Sequence, residues 1–186
     1  MTDPVTSVLT NAVQGNQDQS IFPRSPRLDF FDVMLGKPDW ETSKVLDIGG
    51  NRGNLLEDGI NKNKINPENY YCLDVDKDAV EYGRSNFPTA NWYQHTAFNH
   101  MYNVVGMEGV SFPYPDNTFD CVVAYSVYSH TTFEQLCFDL AEIQRVCKPG
   151  GKVAITIIDK ESAEYFTKKR ISDYPGKHCL THNDIL

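Results

Sequence analysis

Short apolar runs alternate with amphipathic stretches along most of the chain. Five runs predict β-strands: KVLDIG, NYYCLDV, ANWYQHT, FDCVVAYS and GKVAITII. Several are almost continuously apolar, which is typical of parallel strands buried on both faces. The stretches between them predict helices from Gly53 to about Asn61, from Lys77 to about Phe87 and from Thr132 to about Cys147. This order predicts a doubly wound, mostly parallel α/β sheet with helices on both faces.

Further signals predict one more helix and refine the last helix and the last strand. In SPRLDFFDVMLGKPDW, Ser25 and Pro26 predict the start of a short helix that ends at Gly36. The KPGG sequence after the last helix predicts a stop and a turn into the last strand. One face of that last helix is predicted to be buried, because its apolar residues recur at helical spacing: Phe133, Leu136, Cys137, Leu140, Ile143 and Cys147.

The length of 186 residues favours a single domain. Residues 1–20 are polar and lack periodicity, which predicts a flexible N-terminal arm before a domain at 21–186. The segment 97–117 has no clear helical face and predicts a long loop. The last predicted strand has no partner along one edge, which predicts either a truncated chain or a homodimer that covers that edge.

Charge and composition exclude several classes of protein. The formal charge of −8 argues against a nucleic-acid surface, which needs a basic stripe. No secretory leader or membrane-length apolar run is present, so we expect a cytoplasmic protein that does not span a membrane. The histidines lack metal-ligand spacing with cysteines or acids, so no metal site is expected.

The sequence VLDIGGNRGN concentrates glycines between the first strand and the following helix. Gly49, Gly50 and Gly53 let the turn pass close beneath a ligand at the helix N-terminus. Asp47 precedes the first glycine by two residues, and its carboxylate would repel a pyrophosphate but attract a cation. The turn therefore favours a positively charged nucleoside over a dinucleotide.

An acid also ends the second predicted strand. Asp74 follows Gly53 by 21 positions, about where a carboxylate accepts hydrogen bonds from both ribose hydroxyls. This signal indicates a ribose without specifying the nucleotide. Asp76 and Asp78 are expected to cap the next helix and to lie in its first turn.

From about Lys44 to Ile158 the chain resembles the class I S-adenosylmethionine-dependent methyltransferases. The resemblance rests on the glycine turn, the strand ending at Asp74, and the stretch from FPYPDN to KPGGKVAITI, in that order. Asn51 stands where the family usually has glycine, and asparagine adopts left-handed backbone readily. The family's sheet has two further closing strands, which are not visible here.

The resemblance implies a Rossmann-like fold with its core at 44–158 and S-adenosylmethionine as cofactor. The implied cofactor-binding residues are Asp47, Gly49, Gly50, Asn51, Gly53, Asp74, Val75, Thr96 and Tyr125.

The third strand departs from the family pattern, because no acid follows it to meet the adenine amino group. Thr96 or Asn99 can supply an acceptor, Phe98 can stack on adenine, and His95 is a weaker choice. Alternatively, Trp92 and Phe98 are only apolar packing groups.

The sequence AYSVYSH follows the fourth strand, beside the expected position of the methyl group. His130 is the candidate catalytic residue, as a base or as a group that orients the substrate. The alternative is a histidine that caps or packs against the next helix. The Asn/Asp-Pro-Pro-aromatic sequence of many amino-group methyltransferases is absent, which favours a small-molecule acceptor with an oxygen or nitrogen nucleophile.

Two other functions fit parts of the sequence. The chain can be a weakly active or inactive protein that binds S-adenosylmethionine. It can also be an NAD-dependent oxidoreductase, which Asp47 disfavours.

Overall fold

The computed structural model describes residues 27–157, in which five strands and four α-helices follow one another. The predicted alternation is confirmed. The elements are α1 (Arg27–Leu35), β1 (Val45–Ile48), α2 (Asn54–Asn61), a 3₁₀ helix (Pro67–Asn69), β2 (Tyr70–Asp74), α3 (Lys77–Asn86), β3 (Asn91–Gln94), β4 (Phe119–Ala124), α4 (Phe133–Val146) and β5 (Cys147–Ile155).

The five strands form one sheet in the order β3-β2-β1-β4-β5, and every pair is parallel. From β1 the chain runs outward to β3 and then returns to β4 on the other side of β1. The carboxyl ends of β1 and β4 therefore form the switch point at which open α/β sheets bind ligands.

Alternate residues of β1 point to opposite faces of this sheet. Val45 belongs to an apolar cluster that includes residues of α1, α2 and α3, whereas Leu46 and Ile48 belong to a second cluster with residues of α4. The sheet is thus covered by helices on both faces, as the sequence predicts.

The helix ends follow ordinary capping chemistry. The Asp76 carboxylate accepts hydrogen bonds from the amides of Asp78 and Ala79 at the start of α3, as predicted. The Thr132 hydroxyl accepts from the amide of Gln135 at the start of α4. The predicted start of α1 at Ser25 and Pro26 lies outside the described residues.

The predicted buried face of α4 is confirmed at Leu136, at Ile143 and at Cys147, which follows the helix, but it is wrong at three positions. Phe133, Cys137 and Leu140 are exposed, and the side chains that face the core are Asp139, Glu142, Ile143 and Val146. The two acids are tolerated there because each has partners. Gln135 donates to Asp139 at 2.6 Å, and Glu142 accepts from Arg145 and from the amide of Phe112.

The helix stops at Val146, just before KPGG, as predicted, but the KPGG residues lie within β5 and do not form a separate turn before it. Phe119 pairs with Cys147 but Cys121 pairs with Lys152, so the extra residues of β5 form an irregularity in the ladder. Gly150 adopts a φ of 79° within it. The predicted arm at 1–20 and any strand after Ile157 lie outside the described residues, in which no helix is long and apolar enough to cross a bilayer.

Candidate functional site

A cavity of about 350 Å³ opens at the carboxyl ends of β1, β2 and β4. Its walls come from the turns that follow these three strands, together with residues of α1, α2 and the loop after β3. The volume lies within the range of small-molecule sites. Seven predicted cofactor residues line the cavity: Asp47, Gly49, Gly50, Asn51, Asp74, Val75 and Tyr125. Gly53 and Thr96 do not line it.

The glycines of the turn after β1 allow close packing on two sides. Gly49 has a φ of 64°, and a Cβ there would lie 2.4 Å from Cγ2 of Val127. A Cβ on Gly50 would lie 2.8 Å from Oδ2 of Asp47. Asn51 adopts the predicted left-handed backbone with a φ of 53°. Side chains at the two glycines would push the turn away from the loop after β4 and from β1.

Gly53 lies at the junction between the turn after β1 and helix α2. It has a φ of 87°, forms the N-cap of α2, and a Cβ there would lie 2.8 Å from the Trp92 ring. Its contribution is therefore the geometry with which the chain enters α2.

Asp74 connects the turns after β1 and β2. Its Oδ2 accepts a hydrogen bond from the amide of Asn51 at 2.7 Å, and its Oδ1 accepts from the amide of Asp76 at 2.9 Å. Burial raises the pKa of this carboxyl, although these amide hydrogen bonds oppose the rise. A carboxylate has about four acceptor positions, so Asp74 keeps acceptor capacity for hydroxyl groups of a ligand beside these amides.

Asp47 is a buried acid on the floor of the cavity. The hydroxyl of Tyr70 donates to its Oδ2 at 2.6 Å. Burial raises the pKa of Asp47 to about 7, against the effect of the Tyr70 hydrogen bond, and the charge of Asp74 adds to the rise. A cation in the cavity would favour the ionised form of Asp47.

A cation of the protein itself, Arg27, also lines the cavity, and its charge opposes the rise in the pKa of Asp47. The Arg27 guanidinium carbon lies 3.5 Å from the centroid of the Tyr125 ring, in cation–π geometry. Phe31, one turn further along α1, also lines the cavity. Sequence reasoning missed both residues, because nothing in the pattern of α1 shows that it packs across the ends of β1 and β4.

The loop after β4 carries the candidate catalytic residue. His130 is half-buried and lines the cavity, and its amide donates to the carbonyl of Val127 at 3.0 Å. Ser126, which also lines the cavity, has a φ of 58°, and its amide donates to Oγ1 of Thr156 at 2.7 Å. Left-handed backbone at a serine is uncommon, and such residues concentrate at functional sites.

Of the four candidates for adenine contacts after β3, only Asn99 lines the cavity. Thr96 is exposed, and its carbonyl accepts a hydrogen bond from the amide of Met107. Phe98 is half-buried outside the cavity. His95 is buried against Phe112, and this burial lowers its pKa to about 4, so it is neutral at pH 7.

Further lining residues come from α2 and from the loop after β3: Asn54, Leu55 and Tyr102. Within residues 27–157, no group of three or more His, Cys, Asp or Glu side chains is arranged to hold a metal ion.

Comparisons with known sequences all find methyltransferases. Residues 46–155, more than half of the chain, match the family described as "Methyltransferase domain". A ubiquinone/menaquinone biosynthesis C-methyltransferase, UbiE, of Saccharophagus degradans is 30% identical over 77% of this chain and 53% of its own length. The UbiE of Hahella chejuensis is 27% identical over 68% of this chain and 47% of its own length. The chain thus spans about half the length of these relatives.

The fold has counterparts among solved structures. A SAM-dependent methyltransferase from Thermotoga maritima superposes with a TM-score of 0.51 at 19% identity, over 82% of this chain and 61% of that one. Together with the family match over the sheet and its turns, this assigns both the fold and the methyl donor, S-adenosylmethionine. The chain belongs to the class I S-adenosylmethionine-dependent methyltransferases.

Proposed function

We propose that this chain transfers the methyl group of S-adenosylmethionine to a small-molecule acceptor through an oxygen or nitrogen nucleophile. The observation that carries the proposal is the single cavity in which Asp47, Asp74 and the Gly49–Gly50 turn converge with His130. Three of these features suit a cationic nucleoside, and the fourth is an imidazole, a group that can accept or donate a proton in catalysis.

The residues that line the cavity match the chemical groups of the donor. The remaining acceptor capacity of Asp74 suits the ribose hydroxyls. The backbone of Gly49 and Gly50 lines the cavity, so the nucleoside can lie against the turn before α2. Asp47 supplies negative charge for the cationic part of the donor, and Arg27 is the cation available for its carboxylate.

The chemistry required of the protein is mainly positioning. When bound, S-adenosylmethionine supplies a methyl carbon on a positively charged sulfur. The acceptor bonds to this carbon while the carbon–sulfur bond breaks, and the sulfur becomes a neutral thioether. The loop 126–130 orients the acceptor at the cavity wall. His130 accepts the proton that an oxygen or nitrogen nucleophile loses, or holds the acceptor by a hydrogen bond.

The relatives support an acceptor of low molecular weight. Their names describe C-methyltransferases of ubiquinone/menaquinone biosynthesis, so a carbon nucleophile is a second candidate for this chain. A carbon acceptor on an electron-rich ring would also have to lose a proton, and this keeps the same role for His130.

Binding and turnover test different parts of the proposal. Isothermal titration with S-adenosylmethionine, S-adenosylhomocysteine and NAD, side by side, is expected to give binding of the first two and none of NAD. A panel of phenolic, amine and electron-rich ring acceptors is then expected to yield a methylated product. Binding without any turnover would instead favour a cofactor-binding protein, and NAD binding would favour the oxidoreductase.

A further inference from the structure

The loop after β3 exposes large apolar side chains beside the cavity. Thirteen large hydrophobic residues are exposed within residues 27–157, and five of them fall in the segment 101–107. Single exposed apolar residues are ordinary on protein surfaces, whereas a concentration of them marks an interaction site. The five are Met101 (54% exposed), Tyr102 (51%), Val104 (66%), Val105 (88%) and Met107 (63%); we refer to them as the apolar rim.

The backbone that carries the apolar rim is held by its own hydrogen bonds. Asn99 and Asn103 exchange amide–carbonyl bonds at 3.0 and 2.9 Å, and the amide of Phe98 donates to the carbonyl of Met107 at 2.8 Å. Gly106 packs so tightly that a Cβ there would lie 2.4 Å from the carbonyl oxygen of Ala97. The apolar side chains therefore point outward from a defined backbone.

The apolar rim is also continuous with the methyl-transfer site. Tyr102 belongs to the rim and lines the cavity. Asn99 lines the cavity as well, and its side-chain amide donates to the carbonyl of His130 at 3.2 Å. The Asn99 Oδ1 accepts the amides of Met101 and Tyr102. One side chain thus fixes both the start of the rim and the loop that carries His130.

We propose that the apolar rim is the docking surface for the methyl acceptor, and that this acceptor is a neutral molecule with an apolar ring or hydrocarbon body. The inference rests on the proposed function. The cavity interior holds Asp47, Asp74 and Arg27, which suit the charged donor. The side chains at its rim instead suit an acceptor whose reactive atom enters the cavity while its apolar body lies outside.

Two other occupants fit the surface less well. A segment that binds anionic membranes is rich in Lys and Arg, whereas residues 97–107 contain neither and the whole chain carries a charge of −8. A second copy of the chain would need about 800 Å² and about 20–30 residues on each partner, whereas the apolar rim has five.

A neutral fluorescent probe, N-phenyl-1-naphthylamine, tests the rim directly. The full chain is titrated with this probe in the presence of saturating S-adenosylhomocysteine. The variant Val104→Ser/Val105→Ser/Met107→Gln is expected to bind the probe about tenfold or more weakly than the wild type. The matched control is Val33→Ser/Met34→Gln, which changes two exposed apolar residues outside the cavity lining and is expected to bind as the wild type does.

The outcomes separate this inference from the proposed function. If the rim variant and the wild type bind the probe equally and both bind S-adenosylhomocysteine, the apolar rim is not the docking surface for the acceptor. This result would not contradict the proposed methyltransferase activity. Failure of the wild type to bind S-adenosylhomocysteine overturns the proposed function itself. Co-sedimentation with phosphatidylcholine vesicles, or a dimer lost in the rim variant, overturns the choice of occupant. If the triple variant unfolds, Val105→Ser alone, at the most exposed position, gives the same test.

Discussion

The hydroxyl of Tyr70 donates a hydrogen bond of 2.6 Å to the carboxylate of Asp47, and both side chains are buried beneath the cavity. This is a polar contact in the middle of an otherwise apolar cluster. It holds Asp47 at the end of β1 and opposes the effect of burial on its pKa.

Tyr70→Phe removes this donor while it keeps the ring that packs near Trp92. We expect the variant to lose on the order of 1–3 kcal/mol of unfolding free energy at pH 8, where the carboxylate is ionised and lacks its partner. The loss should be smaller at pH 5, where Asp47 is protonated. Denaturant titration at both pH values measures it. The exposed Tyr93→Phe serves as control, and equal losses in both variants would contradict the role of the hydrogen bond.

The raised pKa of Asp47 predicts a pH dependence with a definite sign. The native carboxyl holds its proton up to a pKa of about 7, against an ordinary value of 3.8. Its stabilising contribution is therefore complete below the ordinary pKa and is lost as the pH rises through the native one. Relative to Asp47→Asn, which does not titrate, the wild type should lose unfolding free energy across this window, as measured by urea denaturation.

The same acid should release a proton when the donor binds. Because the cationic donor favours ionised Asp47, S-adenosylmethionine affinity is expected to rise with pH up to the native pKa. Titration calorimetry in two buffers of different ionisation enthalpy, just below that pKa, would measure the release. Asp47→Asn should show none, and an equal release in both proteins would remove Asp47 from the linkage.

Asp74→Asn and Asp74→Ala test the ribose contact. Asn keeps one oxygen as acceptor, so we expect a loss of about tenfold to a hundredfold in S-adenosylhomocysteine affinity, and no measurable binding with Ala. Calorimetry measures both. Asp78→Asn is the matched control, since this exposed acid lies in the first turn of α3 outside the cavity. Retained affinity in Asp74→Ala would refute the assignment of the ribose site.

His130→Gln separates catalysis from cofactor binding. Gln keeps hydrogen-bonding atoms but accepts no proton at neutral pH, so turnover should fall by about 10²–10⁴-fold if His130 is the base. The affinity for S-adenosylhomocysteine should not change. The exposed His100→Gln is the control. Unchanged turnover in His130→Gln would exclude the residue from the mechanism.

Asn99→Asp isolates one hydrogen bond of the loop that Asn99 fixes. The aspartate keeps an oxygen for the amides of Met101 and Tyr102, but it loses the donor to the carbonyl of His130. We expect the KM for the acceptor to rise and kcat to fall, by about tenfold in kcat/KM. Asn99→Leu, which loses both functions, should be worse. Steady-state kinetics identical to wild type in both variants would contradict a positioning role.

The sequence predicted the parts of the site that depend on local backbone and on strand order. Asn51 adopts the left-handed turn because its side chain permits it, and Asp74 lies at the end of β2 as its spacing from Gly53 indicates. Parallel strands bring their carboxyl ends together, so these positions converge in any fold with this order.

The features that the sequence did not predict depend on contacts between distant parts of the chain. Part of the buried face of α4 was misassigned because apolar periodicity assumes that charged residues are exposed, whereas Asp139 and Glu142 are buried with partners. Arg27 and Tyr102 were missed because they reach the cavity through packing between distant parts of the chain. Such contacts leave no spacing signal in the sequence.

The close approach of Gly49 to Val127 constrains any attempt to re-engineer this enzyme. A side chain at position 49 would overlap the isopropyl group at 127, so the two positions are sterically coupled. Libraries that diversify residues 126–130 to accept new substrates should hold position 49 as glycine and limit position 127 to valine or smaller. The turn that contains Gly49 and the loop that contains Val127 should therefore be exchanged together when segments of a homologue are introduced.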